Sequence, residues 1–301
     1  KKDANSVTNF YPRYFLTSKI KNYNNSIFLP LSSVSKSKTL YCKESEKYIV
    51  YDSDRYGFNN NDSLWDEDAI NILLVGDSFV QGACVEQNKN FSGILSSYNK
   101  INALNIGMDG NGSLFEFAAM REYMPLKKFD KVLWFFYPND IYEINLEKTN
   151  KILVEYLNNE KFSQKLSQKQ DKIDTLIKKR FEYEYRFAKL NFLKLSYTRT
   201  LFKNIIFSFT NNKFHDNEFG TDYQNKKSIN IFKKIIYLAN KFVKDNNSIL
   251  YFIYLDSNSR YFNDNPEVPE FKKSILKIVK EEGIQIIDIH DELFKNITDP
   301  K

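Results

Sequence analysis

Glycine, histidine and cysteine are scarce in this chain, whose 301 residues include nine, two and two of them. Two histidines and two cysteines give no ligand spacing for a metal cluster, so we expect no metal. The sequence has no G-x-G-x-x-G and no phosphate-cradling glycine motif, which argues against a dinucleotide site, and we expect no cofactor. No window approaches 18 consecutive apolar residues, so the chain as given does not span a membrane.

Charge of one sign is not concentrated in any region. The net charge of +6 comes from 44 basic and 38 acidic residues, and lysine is spread through the helical stretches. This distribution is typical of a solvated surface, and no nucleic-acid recognition module accompanies it. We therefore expect no nucleic-acid partner. The hydrophobic content of 42% is ample for a large core.

Strand and helix patterns alternate from residue 71 onward. Continuous apolar runs predict five strands, at 71–75, 101–106, 131–137, 248–255 and 284–289. Apolar spacings of three and four predict helices between them, at 90–98, 113–124, 228–245 and 268–282. Repeated strand, helix, strand units imply a mostly parallel sheet with helices on both faces. The predicted fold class is α/β, a three-layer flavodoxin-like sandwich.

Two segments lie outside this repeating pattern. Residues 1–66 are polar and aromatic, with a predicted strand at 47–51, and we interpret them as an N-terminal extension packed on the core. Residues 67–301 form the main domain, and residues 141–227 insert two or more amphipathic helices into it. The insertion either roofs a substrate cleft at the carboxyl ends of the strands or simply enlarges the domain.

The first predicted strand ends on a glycine and places Ser78 two residues later. A buried parallel strand followed by a tight turn delivers a side chain to the carboxyl edge of the sheet. Six of the nine glycines lie between residues 76 and 112, where the backbone needs positive φ or close approach to a ligand. This clustering predicts a functional site around Ser78.

Three stretches, each at the end of a predicted strand, resemble conserved blocks I, II and III of the SGNH (GDSL-like) hydrolases. They are Gly-Asp-Ser-Phe at 76–79, Asn-Ile-Gly-Met-Asp-Gly at 105–110 and Asn-Asp at 139–140. The resemblance spans about 71–290 and covers neither the first 66 residues nor the insertion. One departure is that Tyr137 and Pro138 precede Asn139, where the family usually carries glycine.

The resemblance implies a serine nucleophile and an oxyanion hole. Ser78 would attack an acyl carbonyl after a base takes its proton. The developing negative charge would be stabilised by the backbone N–H groups of Ser78 and Gly110 and by the side-chain amide of Asn139. Two simpler alternatives stay open: Gly110 only makes a turn, and Asn139 only caps a helix at 140–146.

The base is the least defined part of the site. Asp288 and His290 resemble the Asp and His of block V, with one residue between them where the family has two. Only eleven residues follow His290, too few for the usual loop and final helix. Either His290 is the base with Asp288 orienting it, or the catalytic Asp and His lie beyond Lys301, or the site binds without reacting. His215 lies in a polar stretch, and we expect it on an exposed loop.

The resemblance implies a serine-dependent acyl-ester hydrolase or O-acyltransferase. Its substrate would be O-acetylated carbohydrate of a bacterial envelope or another small ester. The alternative is a non-catalytic scaffold or binding protein of a polysaccharide assembly that uses residues 141–227 as its interaction surface. The oligomeric state is left open.

The expected state of the two cysteines, bridged or free, depends on the compartment. Cys84 follows Ser78 by six residues and Cys42 precedes the predicted strand of the extension. In an oxidising compartment a bridge would tie the extension to the site loop, whereas in a reducing one both would be small buried hydrophobes. The chain begins Lys-Lys-Asp without Met, so we expect a removed upstream segment and an extracytoplasmic location, with any membrane anchor outside the given chain.

Overall fold

The computed structural model describes residues 10–12, 27–42, 48–68, 70–98, 101–193, 222–256 and 269–295. In these ranges the strands are β1 Phe10–Pro12, β2 Lys38–Cys42, β3 Ile49–Asp52, β4 Ile70–Val75, β5 Ala103–Asn105, β6 Phe129–Phe136, β7 Ile249–Tyr254 and β8 Gln285–Asp288. The α-helices are α1 Ser78–Gln81, α2 Phe91–Ser97, α3 Ser113–Tyr123, α4 Asp140–Glu147, α5 Lys151–Asn158, α6 Gln170–Leu193, α7 Asp222–Asp245 and α8 Pro269–Glu281. Short 3₁₀ helices occupy Asp62–Asp66, Gln87–Lys89, Met124–Leu126 and Leu166–Lys169, and His290–Phe294 forms a π-helical turn.

The central sheet contains the five strands that the sequence predicts. Its order is β5-β4-β6-β7-β8, and every neighbouring pair is parallel. Helices flank it, so the predicted α/β class and the flavodoxin-like three-layer sandwich are confirmed. The sheet is parallel throughout, where we had predicted it to be mostly parallel.

Alternate residues of each strand face different layers of the sandwich. Val132, Trp134 and Phe136 of β6 face the larger core, where the Phe136 ring lies 5.3 Å from that of Phe232 on α7. Leu74 and Phe135 face a smaller apolar cluster on the opposite side, where Phe91 of α2 stacks on Phe135 at 4.7 Å. The strands are therefore buried on both faces over most of their length, which explains their continuous apolar sequence.

A buried carboxylate organises the turn-rich end of the extension. Asp54 accepts hydrogen bonds from the backbone N–H groups of Tyr56 and Phe58 and from the side chains of Asn60 and Trp65, at 2.7–2.9 Å. The Phe58 ring then packs edge-on against Tyr123 of α3 at 4.8 Å. These contacts attach residues 54–65 to the main domain as part of its core.

The extension also forms a small sheet that the sequence predicted only in part. β1 pairs parallel with β2, and β2 pairs antiparallel with β3, which begins two residues after the start of the predicted 47–51 strand. Cys42 at the end of β2 is bonded to Cys84, with a Cα–Cα distance of 5.5 Å. The predicted bridge is confirmed, and it joins the extension to the loop that follows α1.

The described part of the insertion packs on the larger core. Leu153 and Tyr156 of α5 and Ile173 and Ile177 of α6 are buried there. Asp174 of α6 accepts hydrogen bonds from the backbone N–H (2.9 Å) and hydroxyl (2.6 Å) of Ser35 in the extension. Residues 141–177 therefore contribute to the larger core, whereas residues 194–221, with His215, lie outside the described residues.

Candidate active site

Ser78 lies at the carboxyl end of β4, as the sequence predicts, and is the first residue of α1. Asp77 caps this helix, because its Oδ1 accepts the backbone N–H of Phe79 at 2.9 Å. Position 76 favours glycine because the turn packs closely here: a Cβ at this position would lie 2.5 Å from Val80 Cγ2. The turn leaves Ser78 half-buried at the edge of the sheet.

The Ser78 hydroxyl donates a long hydrogen bond to Asp77 Oδ2, at 3.5 Å. In the described part of the chain it makes no hydrogen bond to a histidine. Burial raises the pKa of Asp77 to about 6, with the charge of Asp109 adding to the effect. Asp77 thus both shapes the turn and contacts the hydroxyl.

The loop that carries Gly110 follows β5 and is held at three points. Asn105 Oδ1 accepts the backbone N–H of Gly107, Gln81 Oε1 accepts that of Asp109, and Glu147 Oε1 accepts that of Gly112, each at 2.7 Å. Gly110 itself has φ +73°, a conformation that glycine adopts without strain. The backbone here is fixed by side chains from three other parts of the chain.

Asn139 follows β6 and is the residue before α4, yet its side chain makes no capping hydrogen bond. Its Oδ1 is buried and has no hydrogen-bond partner in the described part of the chain. The turn is closed instead by Asp140, whose Oδ2 accepts the backbone N–H of Tyr137 at 2.9 Å. The alternative that Asn139 only caps the helix is therefore wrong.

Ser78, Gly110 and Asn139 come from adjacent positions on one edge of the sheet. β4 lies between β5 and β6, and all three strands run in the same direction, so the segments that follow them emerge side by side. Next to them, the Phe79 ring is 42% exposed and lies 5.0 Å from the ring of Tyr137. The arrangement places a hydroxyl, a glycine loop, a side-chain amide and a partly exposed aromatic pair at one edge of the sheet.

Four carboxyl groups lie behind this edge. Asp77, Glu116, Asp140 and Glu147 are all buried, and no lysine or arginine of the described residues forms an ion pair with them. Burial raises the pKa of Glu147 to about 8 and holds the pKa values of Glu116 and Asp140 well above the usual range, to which mutual repulsion adds. Of these buried carboxyl groups, Glu116 could have been recognised from the sequence, because it is an acidic residue within the apolar stretch of α3.

The carboxyl ends of β7 and β8 carry a different cluster. Lys272 of α8 donates to Asp256 at 2.9 Å and to Asp288 at 2.9 Å; the Asp256 side chain is buried, and that of Asp288 is 12% exposed. Asp288 Oδ1 also accepts the backbone N–H of His290 at 3.1 Å. His290, half-buried, begins the π-helical turn after β8. Its role as the base, with Asp288 orienting its ring, stays a prediction.

Comparison with the profiles of known protein families and with curated protein sequences gave no match for this chain. Within the described ranges, no group of three or more His, Cys, Asp or Glu side chains is placed to hold a metal ion. None of the helices in those ranges is long and apolar enough to cross a membrane.

Proposed function

We propose that the protein is a serine-dependent acyl-ester hydrolase or O-acyltransferase with Ser78 as its nucleophile. The observation that carries this proposal is the alignment of Ser78, the Gly110 loop and Asn139 at the carboxyl ends of β4, β5 and β6. A nucleophile beside a glycine loop and an uncharged amide donor is the combination that acyl transfer needs.

In the proposed reaction, Ser78 Oγ forms a bond to the acyl carbon and the carbonyl oxygen becomes an oxyanion. The backbone N–H groups of Ser78 and Gly110 and the amide of Asn139 donate to that oxygen. The bond from the acyl carbon to the alkoxy oxygen then breaks, and the alcohol leaves with the proton taken from Ser78. Water or a sugar hydroxyl attacks the resulting acyl-serine and regenerates the free hydroxyl.

The proton acceptor in this scheme is His290. Its turn directly follows β8, on the same edge of the sheet as Ser78. Because the Ser78 hydroxyl is bonded to Asp77 here, the His290 ring has to come within hydrogen-bonding distance when substrate binds, as catalytic pairs often do. This step is the part of the proposal that needs the most direct test.

The proposed substrate is an O-acetylated carbohydrate. The exposed Phe79 ring and the half-buried Tyr137 ring packed on it offer an apolar surface to the carbon-bound hydrogens of a sugar ring or to an acyl group. The Cys42–Cys84 bridge supports an oxidising, extracytoplasmic compartment, where envelope carbohydrate is found.

A fluorophosphonate probe, which reacts with activated serines, tests the proposal together with hydrolysis of p-nitrophenyl acetate. We expect covalent labelling of Ser78, and neither labelling nor hydrolysis in Ser78→Ala. His290→Ala should slow both reactions by about 10²–10⁴-fold, the usual contribution of a general base. An unchanged rate in His290→Ala would place the base elsewhere, while full activity in Ser78→Ala would remove the hydrolase proposal.

A second candidate is a non-catalytic binding or scaffold protein. It is favoured by one observation, that the Ser78 hydroxyl hydrogen-bonds to Asp77 and not to a histidine of the described residues. Absence of labelling in a correctly folded parent protein, established by an intact melting transition, supports this candidate over the first.

A further inference from the structure

Gln81 is the buried last residue of α1, the helix that begins with Ser78, and it is 1% exposed. Its backbone N–H donates to the carbonyl of Asp77 at 3.0 Å, and its carbonyl accepts from Asn59 Nδ2 at 2.7 Å. The backbone of Gln81 is therefore held on both sides. Its side chain starts from a fixed position one helical turn after the proposed nucleophile.

Both polar atoms of the Gln81 side chain are used. Oε1 accepts the backbone N–H of Asp109 at 2.7 Å, and Nε2 donates to the hydroxyl of Tyr51 at 3.0 Å. A backbone N–H can only donate, so the bond from Asp109 fixes which way the amide is turned. Burial raises the pKa of Tyr51 to about 12, so its hydroxyl is neutral at pH 7. One side chain thus connects β3 of the extension, the helix of Ser78 and the loop that carries Gly110.

The extension contacts α1 at its first residue as well as at its last. The Tyr51 ring meets the ring of Tyr41 on β2 edge-on at 6.0 Å, and the Tyr41 hydroxyl donates to the backbone carbonyl of Ser78 at 3.4 Å. The next residue, Cys42, is bonded to Cys84 in the loop that follows α1. The strands that carry Tyr41 and Tyr51 are therefore fastened to α1 by hydrogen bonds and by a covalent bond.

The proposed oxyanion hole takes its two backbone donors from different segments. The N–H of Ser78 follows β4, whereas the N–H of Gly110 follows β5 and belongs to the peptide unit next to that of Asp109. A displacement of about 1 Å at a catalytic site can cost about 10²-fold in rate, so the spacing of the two segments matters. The bond between Gln81 and Asp109 joins them one residue away from the Gly110 donor.

We propose that Gln81 is a positioning residue that holds the Gly110 loop at a fixed place relative to Ser78, and that Tyr51 of the extension anchors it. The effect on catalysis rests on the proposed function, whereas the hold on the loop does not. The extension is on this view part of the scaffold of the site.

Gln81→Met tests the proposal, because methionine has a similar length and makes neither hydrogen bond. Gln164 offers a matched control at the end of α3 away from the Gly110 loop. It is 6% exposed, its Oε1 accepts the backbone N–H of Leu29 at 2.7 Å, and its Nε2 donates to the hydroxyl of Tyr156 at 3.0 Å. Gln164→Met therefore removes the same two kinds of bond at a distance from Ser78.

Hydrolysis of p-nitrophenyl acetate is the first readout. We expect Gln81→Met to lower kcat about 10–10²-fold with a much smaller change in KM, because the misplaced donor matters most in the transition state. Gln164→Met should melt at a lower temperature than the parent and keep the parent kcat. Tyr51→Phe is a milder variant that covers failure of Gln81→Met to fold, and its loss of kcat should be smaller because the bond to Asp109 remains.

Amide hydrogen exchange is the second readout and needs no activity. The Asp109 N–H should exchange about tenfold faster in Gln81→Met, the loss of one hydrogen bond, and by a smaller factor in Tyr51→Phe. Tyr156→Phe, the matched change beside Gln164, should leave Asp109 as in the parent. An inactive parent in which these exchange rates still change removes the proposed function and leaves the hold on the loop.

Three results overturn the inference. They are unchanged Asp109 exchange in both Gln81→Met and Tyr51→Phe, the parent kcat in both variants of an active enzyme, and an equal loss of kcat in Gln164→Met.

Discussion

Within the described residues, the carboxyl groups behind β4, β5 and β6 lie buried without a cation, whereas Asp256 and Asp288 behind β7 and β8 share Lys272. Behind the edge that carries Ser78, Glu147 accepts hydrogen bonds from the backbone N–H groups of Gly112 and Leu114. Its pKa is raised to about 8 by burial, so it does this largely in the neutral form at pH 7. Behind the carboxyl ends of β7 and β8, Asp256 and Asp288 are paired with Lys272.

The difference has an electrostatic meaning for the proposed reaction. Full negative charges next to Ser78 would oppose the oxyanion that forms when an ester is attacked. Burial raises the pKa values of Glu116, Asp140 and Glu147, which favours their protonated forms. Asp77 differs, because its pKa is raised only to about 6 while it contacts the Ser78 hydroxyl. Asp256 and Asp288 lie with Lys272 behind β7 and β8, where no oxyanion is proposed.

The largest effect is expected from removing Lys272, which pairs with Asp256 and Asp288. Lys272→Met removes the lysine that both Asp256 and Asp288 contact, and this should lower the free energy of unfolding by about 3–5 kcal/mol, because the two carboxylate side chains are only 1% and 12% exposed. Chemical denaturation measures it, with exposed Lys273→Met as the control. A loss below about 1 kcal/mol would mean that the ion cluster is not structural.

A smaller effect, on the reaction rate alone, is expected from truncating Asn139, which lies at the same edge of the sheet as Ser78. Asn139→Ala should lower kcat for ester hydrolysis about 10²–10³-fold, because it removes one oxyanion donor. Its stability should change little, since the side chain makes no capping bond. Asn150 is the matched control, because it does cap α5 through the backbone N–H of Ile152 at 2.9 Å.

Asn150→Ala should cost about 1 kcal/mol of stability and leave kcat unchanged. Steady-state kinetics and thermal melting of the two variants give both readouts. The opposite pattern, in which Asn139→Ala destabilises the protein and leaves kcat intact, would return Asn139 to a structural role.

The smallest effect concerns the pH dependence of stability. Burial, with repulsion from Asp77 and Glu147, holds the pKa of Glu116 well above its usual value of 4.5 in the folded protein. The folded chain therefore keeps a proton that the unfolded chain loses, so the contribution of Glu116 to stability is greatest below about pH 4.5 and falls as the pH rises through its raised pKa.

Glu116→Gln resembles the protonated acid and can still accept from Trp134, so it should flatten this fall. Melting curves between pH 5 and pH 8 should show a smaller decrease in stability for the variant than for the parent. Exposed Glu155→Gln should behave like the parent. Parallel curves for parent and Glu116→Gln would show that Glu116 titrates like an exposed group.

The sheet could be predicted because parallel strands buried on both faces need continuous apolar runs, and such runs are visible locally. The ends of the strands were less accurate. The third strand begins at Phe129 and not at 131, because residues 130 and 131 are exposed and carry no apolar signal. β1 and β2 were not predicted, because they are short and lie in the N-terminal extension, which has no periodic apolar pattern.

The order of the site segments could also be predicted, because the carboxyl ends of parallel strands share one edge. The side chains that hold the Gly110 loop could not be predicted. Gln81 accepts a hydrogen bond from Asp109, 28 positions away, and Glu147 accepts one from Gly112, 35 positions away, and no local sequence pattern encodes such pairings. Asn139 illustrates the reverse case, in which its position before a helix suggested a cap that the fold does not use.

The outer edge of β5 is closed by side chains rather than by another strand. Asn60 of the extension accepts from the backbone N–H of Asn105 at 2.8 Å and donates to its carbonyl at 2.7 Å, and Ser92 donates to the carbonyl of Ala103 at 2.6 Å. An exposed edge strand is a template for another chain, and these bonds occupy its pairing groups. The extension thus occupies the outward pairing groups of Asn105, and a protein lacking residues 1–66 would leave that backbone N–H and C=O open to strand pairing with its own copies.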